Sequence, residues 1–155
     1  MSVFDQIGIP AGRGICYSGF REGQQPGGVY PGYEEVREDL FLLKAHWKYL
    51  RLFDCDLHAE TVLEVIRKEG LDFRCMLGAY INAEMNNFSC PWNGGVYSEE
   101  ELEQNGKDNQ RKIQRLAEMA REYADIVFAV SVGNEATVEW TDHYVTERKV
   151  LEYVK

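Results

Sequence analysis

The stretch that decides the fold is residues 127–140, VFAVSVGNEATVEW. It begins as an apolar run, and residues 126–132 carry no charge. A short apolar run bounded by turn-forming residues is typical of a strand buried inside a sheet. Gly133, Asn134 and Glu135 follow it directly. The strand is therefore expected to place a carboxylate just beyond its carboxyl end.

Strand-like and helix-like segments alternate along the rest of the chain. The predicted strands are 14–20, 49–55, 72–81 and 126–132. The predicted helices are 33–47, 58–69, 98–123 and 145–155. Such alternation indicates βαβ units and a parallel sheet. We expect one α/β domain over residues 1–155, either a small doubly wound sheet or part of a (β/α)8 barrel.

The length of the chain indicates how many domains it forms, and its net charge limits the kinds of molecule that it can bind. The 155 residues suit one domain with a real core, and the formal net charge is -9. This charge argues against nucleic acid and against an anionic membrane surface, since both require a basic patch. No basic leader segment and no run of 18 apolar residues is visible, which predicts a cytoplasmic protein. A neutral ligand such as a sugar is compatible with this balance.

No cofactor or metal ion is expected. The loop after the first strand is rich in glycine, but it lacks the GxGxxG and GxxxxGK[ST] spacings of nucleotide sites. The three histidines have no metal-ligand spacing, and the cysteines form no CxxC pair. These residues are His46, His58, His143, Cys16, Cys55, Cys75 and Cys90. The cysteines are interpreted as buried, reduced thiols.

The carboxyl ends of parallel strands lie at one edge of the sheet, so the residues there are candidates for a common site. The candidates are Tyr17, Arg51, Asp54, Tyr80, Asn134, Glu135 and Trp140. A long loop adds Asn86, Asn87, Trp92 and Asn93. Aromatic rings pack against the apolar faces of pyranoses, while amides and carboxylates bind hydroxyl groups. This mixture favours a carbohydrate ligand.

Structural roles remain open for the same residues. Glu135 can be an ordinary carboxylate near the start of a following helix. Arg51 can form an ion pair with Asp54 or Glu135, and both candidate tyrosines can be core residues with satisfied hydroxyls. The run 98–112 is most simply a solvated helix face.

Four segments, in order, resemble one known family. They are GICYSGFREGQQPG (14–27), YLRLFDCD (49–56), MLGAYINAEMNN (76–87) and VFAVSVGNEATVEW (127–140). They are similar to the N-terminal half of bacterial glycoside hydrolase family 17 proteins, which are related to β-1,3-glucanases and β-1,3-glucan transglycosylases. The resemblance extends from about Gly12 to Lys155.

The resemblance implies a TIM barrel and a retaining mechanism on β-1,3-linked glucans. It places the general acid/base at Glu135, with Asn134 beside it, and it places Tyr17 and Arg51 in the sugar site. Glu135 would protonate the leaving oxygen and then deprotonate the attacking hydroxyl.

The family's nucleophilic glutamate lies at the end of the seventh strand, whereas this chain holds four strand–helix units. A complete barrel typically needs ~250 residues. The second carboxylate is therefore apparently missing, and the family assigns that role to none of Asp54, Glu84 and Glu139. Half a barrel leaves its first and fourth strands as open edges, which predicts a homodimer closed through them. The alternative is a non-catalytic half-barrel module that self-associates and binds glucan.

Overall fold

A computed structural model describes residue 6, residues 8–92 and residues 94–155. In these ranges strands and helices alternate. They are β1 (Gly14–Cys16), α1 (Tyr33–Leu43), β2 (Tyr49–Leu52), α2 (Leu57–Lys68), β3 (Arg74–Ala79), α3 (Glu99–Glu122), β4 (Val127–Val132) and α4 (Glu147–Val154). Asn93, one of the candidate residues, lies outside the described residues. Part of the amino-terminal stretch, on which the absence of a leader segment was predicted, also lies outside them.

The sheet has four strands in the order β1-β2-β3-β4, and each neighbouring pair is parallel. Doubly wound sheets reverse direction at a switch point, so their strand order differs from the chain order. A sheet in which each strand lies next to its predecessor is instead the arrangement of a (β/α)8 barrel. The fold is thus an open, half-TIM-barrel-like α/β fold, and the doubly wound alternative is wrong.

The strands are shorter than the apolar runs predict. Strand β1 ends at Cys16 rather than Phe20, and β2 ends at Leu52 rather than Cys55. Beyond these points the amide of Tyr17 still donates to the Arg51 carbonyl at 3.0 Å, but later backbone amides bond to side chains. The amide of Gly19 donates to the His58 ring, and the amide of Cys55 donates to its neighbour Asp54. The carboxyl ends of the strands are therefore built as loops.

The hydrophobic core lies between the sheet and the helices. Outward-facing strand residues with at most 1% exposure pack against buried residues of α1, α2 and α3. The strand residues are Leu50, Leu52, Cys75, Leu77 and Ala79, and the helical ones include Val36, Leu40, Val62, Ile66, Leu116 and Met119.

The opposite face of the sheet is partly open. A shallow cavity of about 250 Å³ runs along it, lined by Gly14, Ile15, Cys16, Tyr49, Leu50, Arg51, Met76 and Phe128. The prediction that the cysteines are buried is confirmed for Cys55 and Cys75 and is wrong for Cys16, which is exposed on this face. Cys90 is half-buried, and all four are free thiols.

Helix α3 is less solvated than its charged sequence predicts. Ser98 and Glu101 form the expected capping box at its start. Asn109, however, is fully buried, and its side chain bonds both the amide and the carbonyl of Asn82. One face of α3 therefore supports the loop after β3. No helix in the described ranges is long and apolar enough to cross a membrane.

Candidate functional site

The turn after β4 has an unusual backbone. Glu135 has φ +53° and is the non-glycine residue with positive φ in the described part of the chain. This left-handed conformation costs about 1 kcal/mol or more for such a residue and persists only when the surroundings enforce it. The Glu135 side chain is exposed. Turns rather than a helix follow it, and α4 starts only after the Thr146 cap, so the helix-start interpretation of Glu135 is wrong.

The residue before Glu135 is held from two sides. Arg51 on β2 donates from Nη2 to the Asn134 side-chain oxygen at 2.8 Å. His143 donates from Nε2 to the Asn134 backbone carbonyl, also at 2.8 Å. The described hydrogen bonds and ion pairs do not pair Arg51 with Asp54 or with Glu135, as the structural alternative expected. Arg51 instead joins the ends of two strands that are not neighbours in the sheet.

The His143 ring connects this turn to β3. A carbonyl oxygen only accepts hydrogen bonds, so Nε2 carries a hydrogen. The other ring nitrogen, Nδ1, lies 2.9 Å from the Tyr80 hydroxyl oxygen. Asp142 Oδ1 lies 2.8 Å from the same Nδ1. The Tyr80 and His143 rings pack with their centroids 4.5 Å apart. From the sequence, His143 follows the fourth strand and lacks metal-ligand spacing, and its bond to the Asn134 carbonyl was not predicted.

Asp54 holds the backbone at the strand ends. Its Oδ1 accepts from the amides of Cys55 and Tyr80, each at 3.0 Å. Its Oδ2 accepts from Lys112 Nζ of α3 at 2.8 Å, and the same ammonium group donates to the Tyr80 carbonyl at 2.7 Å. Asp54 therefore ties β2, β3 and α3 together.

Tyr17 is fixed beneath the first loop. Its hydroxyl donates to Asp39 Oδ2 at 2.9 Å, and burial raises the pKa of Tyr17 well above its usual value, so the hydroxyl stays protonated. A Cβ on Gly19 would collide with this hydroxyl, which explains the glycine. The Gly19 amide donates to His58 Nε2 at 3.1 Å. Burial lowers the pKa of His58, which favours the neutral ring that this bond requires.

A cavity of about 340 Å³ opens among these residues at the carboxyl ends of β1, β2 and β3. Its lining is Tyr17, Ser18, Phe20, Pro26, Phe53, Asp54, Asp56, His58 and Tyr80. The volume falls at the lower end of small-molecule pockets, which span ~300–1,000 Å³. Of the predicted candidates, Tyr17, Asp54 and Tyr80 line it. Phe20 and Phe53, which also follow strand ends in the sequence, line it as well, whereas His58 was not predicted to do so.

Trp140 lies outside this cavity. Its indole is 52% exposed, and its carbonyl accepts from Trp92 Nε1 at 2.8 Å. The structure thus brings together Tyr17, Asp54 and Tyr80 around the cavity. It links Tyr80 through His143 to Asn134 and leaves Trp140 on a neighbouring surface.

The other carboxylate near the strand ends is engaged structurally. Glu84 accepts from Asn109 Nδ2 at 2.7 Å and from the Tyr153 hydroxyl, and its Oε2 lies 3.9 Å from Lys149 Nζ. Its side chain is only 15% exposed. No group of three or more acidic, histidine or cysteine side chains in the described ranges is arranged to hold a metal ion.

Three comparisons with known proteins bear on the site. No family model matches the chain, and no curated protein matches it. Among solved structures, the chain is similar to the crystal structure of an endo-laminarinase from Formosa Hel1_33_131, with 29% identity and a TM-score of 0.70. The match covers 92% of this chain and 36% of the endo-laminarinase. The chain thus spans about a third of that enzyme's length and shares the corresponding part of its fold.

Proposed function

We propose that this chain carries the sugar-binding and acid/base half of a site acting on β-1,3-linked glucans. Glu135 is its general acid/base, in a retaining mechanism of the glycoside hydrolase family 17 type. The observation that carries the proposal is the exposed carboxylate of Glu135, which follows an asparagine held by Arg51 and His143. Similarity to an endo-laminarinase supports the choice of substrate.

Glu135 has the properties that this role requires. Its carboxyl group protonates the leaving glycosidic oxygen and then takes a proton from the attacking water or sugar hydroxyl. Strained, non-glycine backbone is tolerated where function compensates its cost. Arg51 and His143 hold the backbone before Glu135, which fixes the direction in which the carboxylate leaves the turn.

The 340 Å³ cavity is the proposed pocket for a glucosyl unit. Phe20, Phe53 and Tyr80 offer ring surface to the apolar face of a pyranose, and Ser18 and Asp56 offer oxygen atoms to its hydroxyls. Tyr80 also bonds to His143, so one wall of the pocket is linked by hydrogen bonds to the turn that carries Glu135.

A retaining reaction also needs a second carboxylate about 5–5.5 Å from the first. Asp54 and Glu84 are bound to lysines and to backbone or side-chain donors, so neither is free to act as a nucleophile. We therefore propose that Glu135 supplies the acid/base and that neither Asp54 nor Glu84 supplies the nucleophile.

The test is turnover of β-1,3-linked oligosaccharides by the wild type and Glu135→Gln. General acid/base groups typically contribute 10²–10⁴-fold, so Glu135→Gln should lose at least ~100-fold in rate while keeping its affinity within about twofold. Glu122→Gln is the matched control, because Glu122 is an exposed glutamate at the last turn of α3. Equal turnover by Glu135→Gln and the wild type would rule out the acid/base role.

A second candidate is a non-catalytic glucan-binding half-barrel. Asp54 accepts from Lys112 and Glu84 accepts from Asn109, so neither is free to serve as a second catalytic carboxylate, and this favours the binding module. Calorimetric titration with β-1,3- and β-1,4-linked hexasaccharides separates the candidates. Binding of the β-1,3-linked sugar without turnover supports the binding module, and binding with Glu135-dependent turnover supports the enzyme. A chain that binds neither sugar would contradict both.

A further inference from the structure

Two exposed tryptophans lie outside the cavity, in two loops that contact each other. Trp92, in the loop between β3 and α3, is 61% exposed, and Trp140, in the loop between β4 and α4, is 52% exposed. We refer to Trp92 and Trp140 as the tryptophan shelf. Large aromatic side chains left in water commonly mark a binding surface. Neither ring lines the proposed glucosyl pocket.

Hydrogen bonds between the two loops hold the shelf in place. Trp92 Nε1 donates to the Trp140 carbonyl at 2.8 Å. Asn87 Nδ2 donates to the carbonyls of Glu139 and Thr141 at 2.8 and 2.7 Å. Because the loops are joined at several points, a ligand binding there meets loops that are already ordered and loses little affinity to ordering them.

A glycine allows two parts of the loop between β3 and α3 to approach each other closely. Gly95 has φ +81°, and a Cβ there would lie 2.8 Å from the Asn87 carbonyl oxygen. The same Asn87 side chain makes the bonds to the second loop. The conformation that exposes Trp92 is therefore built into the backbone.

The chemistry of the shelf selects a neutral ligand that stacks. The Trp92 N–H is already bonded within the protein, which leaves its ring face for contact. The exposed carboxylates of Glu139 and Asp142 lie in the same loop as Trp140 and disfavour an anionic partner. Indole faces pack well against the apolar faces of pyranose rings. The bond from His143 to Asn134 connects this loop to Glu135.

We propose that the tryptophan shelf is a second contact surface for glucan, outside the pocket, that holds additional units of a long chain. The inference rests on the proposed function, because it takes glucan as the ligand. It goes further by assigning a preference for polymer over short oligosaccharide to these two rings. A trisaccharide that fills the pocket does not need the shelf, whereas a polymer gains from both.

Trp140→Ala gives the decisive test, because Trp140 joins the loops through its carbonyl and the substitution keeps that group. Affinities for laminarin and for laminaritriose are measured by calorimetry. We expect Trp140→Ala to weaken laminarin binding about tenfold and to leave laminaritriose binding within twofold. Phe41→Ala, which removes a 36% exposed ring from α1, is the control and should change neither affinity.

Trp92→Phe distinguishes the contribution of ring stacking from that of the bond between the loops. The substitution keeps an aromatic face but loses the N–H bond to the Trp140 carbonyl. We expect its loss of laminarin affinity to be smaller than that of Trp140→Ala. If Trp140→Ala binds laminarin as tightly as the wild type, or loses both sugars equally, the shelf assignment is wrong. Laminaritriose binding by the wild type reports separately on the proposed function, and its absence would overturn that function and the shelf together.

Discussion

At the scale of a single residue, Glu135 joins an exposed carboxylate to a backbone conformation that glycine adopts more easily. Arg51 and His143 hold the residue before it, so the cost of this conformation is met by hydrogen bonds elsewhere. If the carboxylate serves catalysis, stability and function should oppose each other at this position.

Glu135→Gly should therefore stabilise the protein by ~0.5–1 kcal/mol, because glycine is not strained at φ +53°. Glu139→Gly is the matched control in the same loop. It has no positive φ to relieve and should destabilise slightly through chain entropy. Urea unfolding at constant pH measures both free energies. Equal destabilisation by the two substitutions would mean that the left-handed turn stores no strain.

At this scale the sequence indicates which candidate residues lie at the ends of the strands. Tyr17, Asp54, Tyr80, Asn134 and Glu135 were identified because polar and aromatic residues follow parallel strands. The roles of His58 and His143 were not predictable, because each depends on one bond to a backbone group far along the chain. The alternative that Arg51 forms an ion pair with Asp54 or Glu135 was also wrong. A charged partner is the usual expectation for an arginine, whereas in the structure Arg51 bonds to the side-chain amide of Asn134.

At the scale of elements, the carboxyl ends of β2 and β3 approach each other closely. A Cβ on Gly78 would lie 2.5 Å from the Phe53 carbonyl oxygen and 2.8 Å from that of Leu52. Both are backbone atoms, so neither can move aside as a side chain would. Gly78 therefore permits the approach that lets Asp54 accept from the Tyr80 amide.

Gly78→Ala and Gly106→Ala should act in opposite directions. The first forces β2 and β3 apart, and overpacking of this kind costs ~1–3 kcal/mol. The second lies inside α3, where a Cβ has ordinary contacts of 3.6 Å and alanine is the better helix former by ~0.5–1 kcal/mol. Thermal unfolding of both variants checks this. A Gly78→Ala protein as stable as the wild type would contradict the close approach.

The order and type of the described elements followed from sequence periodicity, because buried strands and amphipathic helices have distinct repeats. Their ends did not. Helix α1 stops at Leu43 rather than Trp47, and strand β1 stops at Cys16, beyond which the Gly19 amide bonds to the His58 ring. Such bonds join residues distant in sequence, so local patterns do not report them.

At the scale of the whole molecule, the sheet has two open edges. Among the residues that the structure describes, strand β4 pairs only with β3, and Val130 on it is 52% exposed beside an apolar groove formed with α3 and α4. Unpaired strand edges bind other strands. We propose that two copies associate through β1 and β4, with the inner faces of their sheets turned toward each other.

Light scattering after size exclusion should give a mass near twice 17.9 kDa. Val130→Glu should shift the mass toward that of one chain, because a charge on an edge strand opposes strand pairing. Leu42→Glu, at a 70% exposed position on α1, is the matched control and should leave the mass unchanged. A single-chain mass for the wild type at all concentrations would contradict the association.

The strand order β1-β2-β3-β4 also bears on how the protein folds. Each new strand pairs with the strand made just before it, so every contact within the sheet spans a single strand–helix unit and none skips over an intervening strand. Topologies dominated by local contacts fold faster than those that pair distant segments. During synthesis each strand–helix unit can therefore dock as soon as it emerges from the ribosome, and the sheet grows in one direction from β1 to β4.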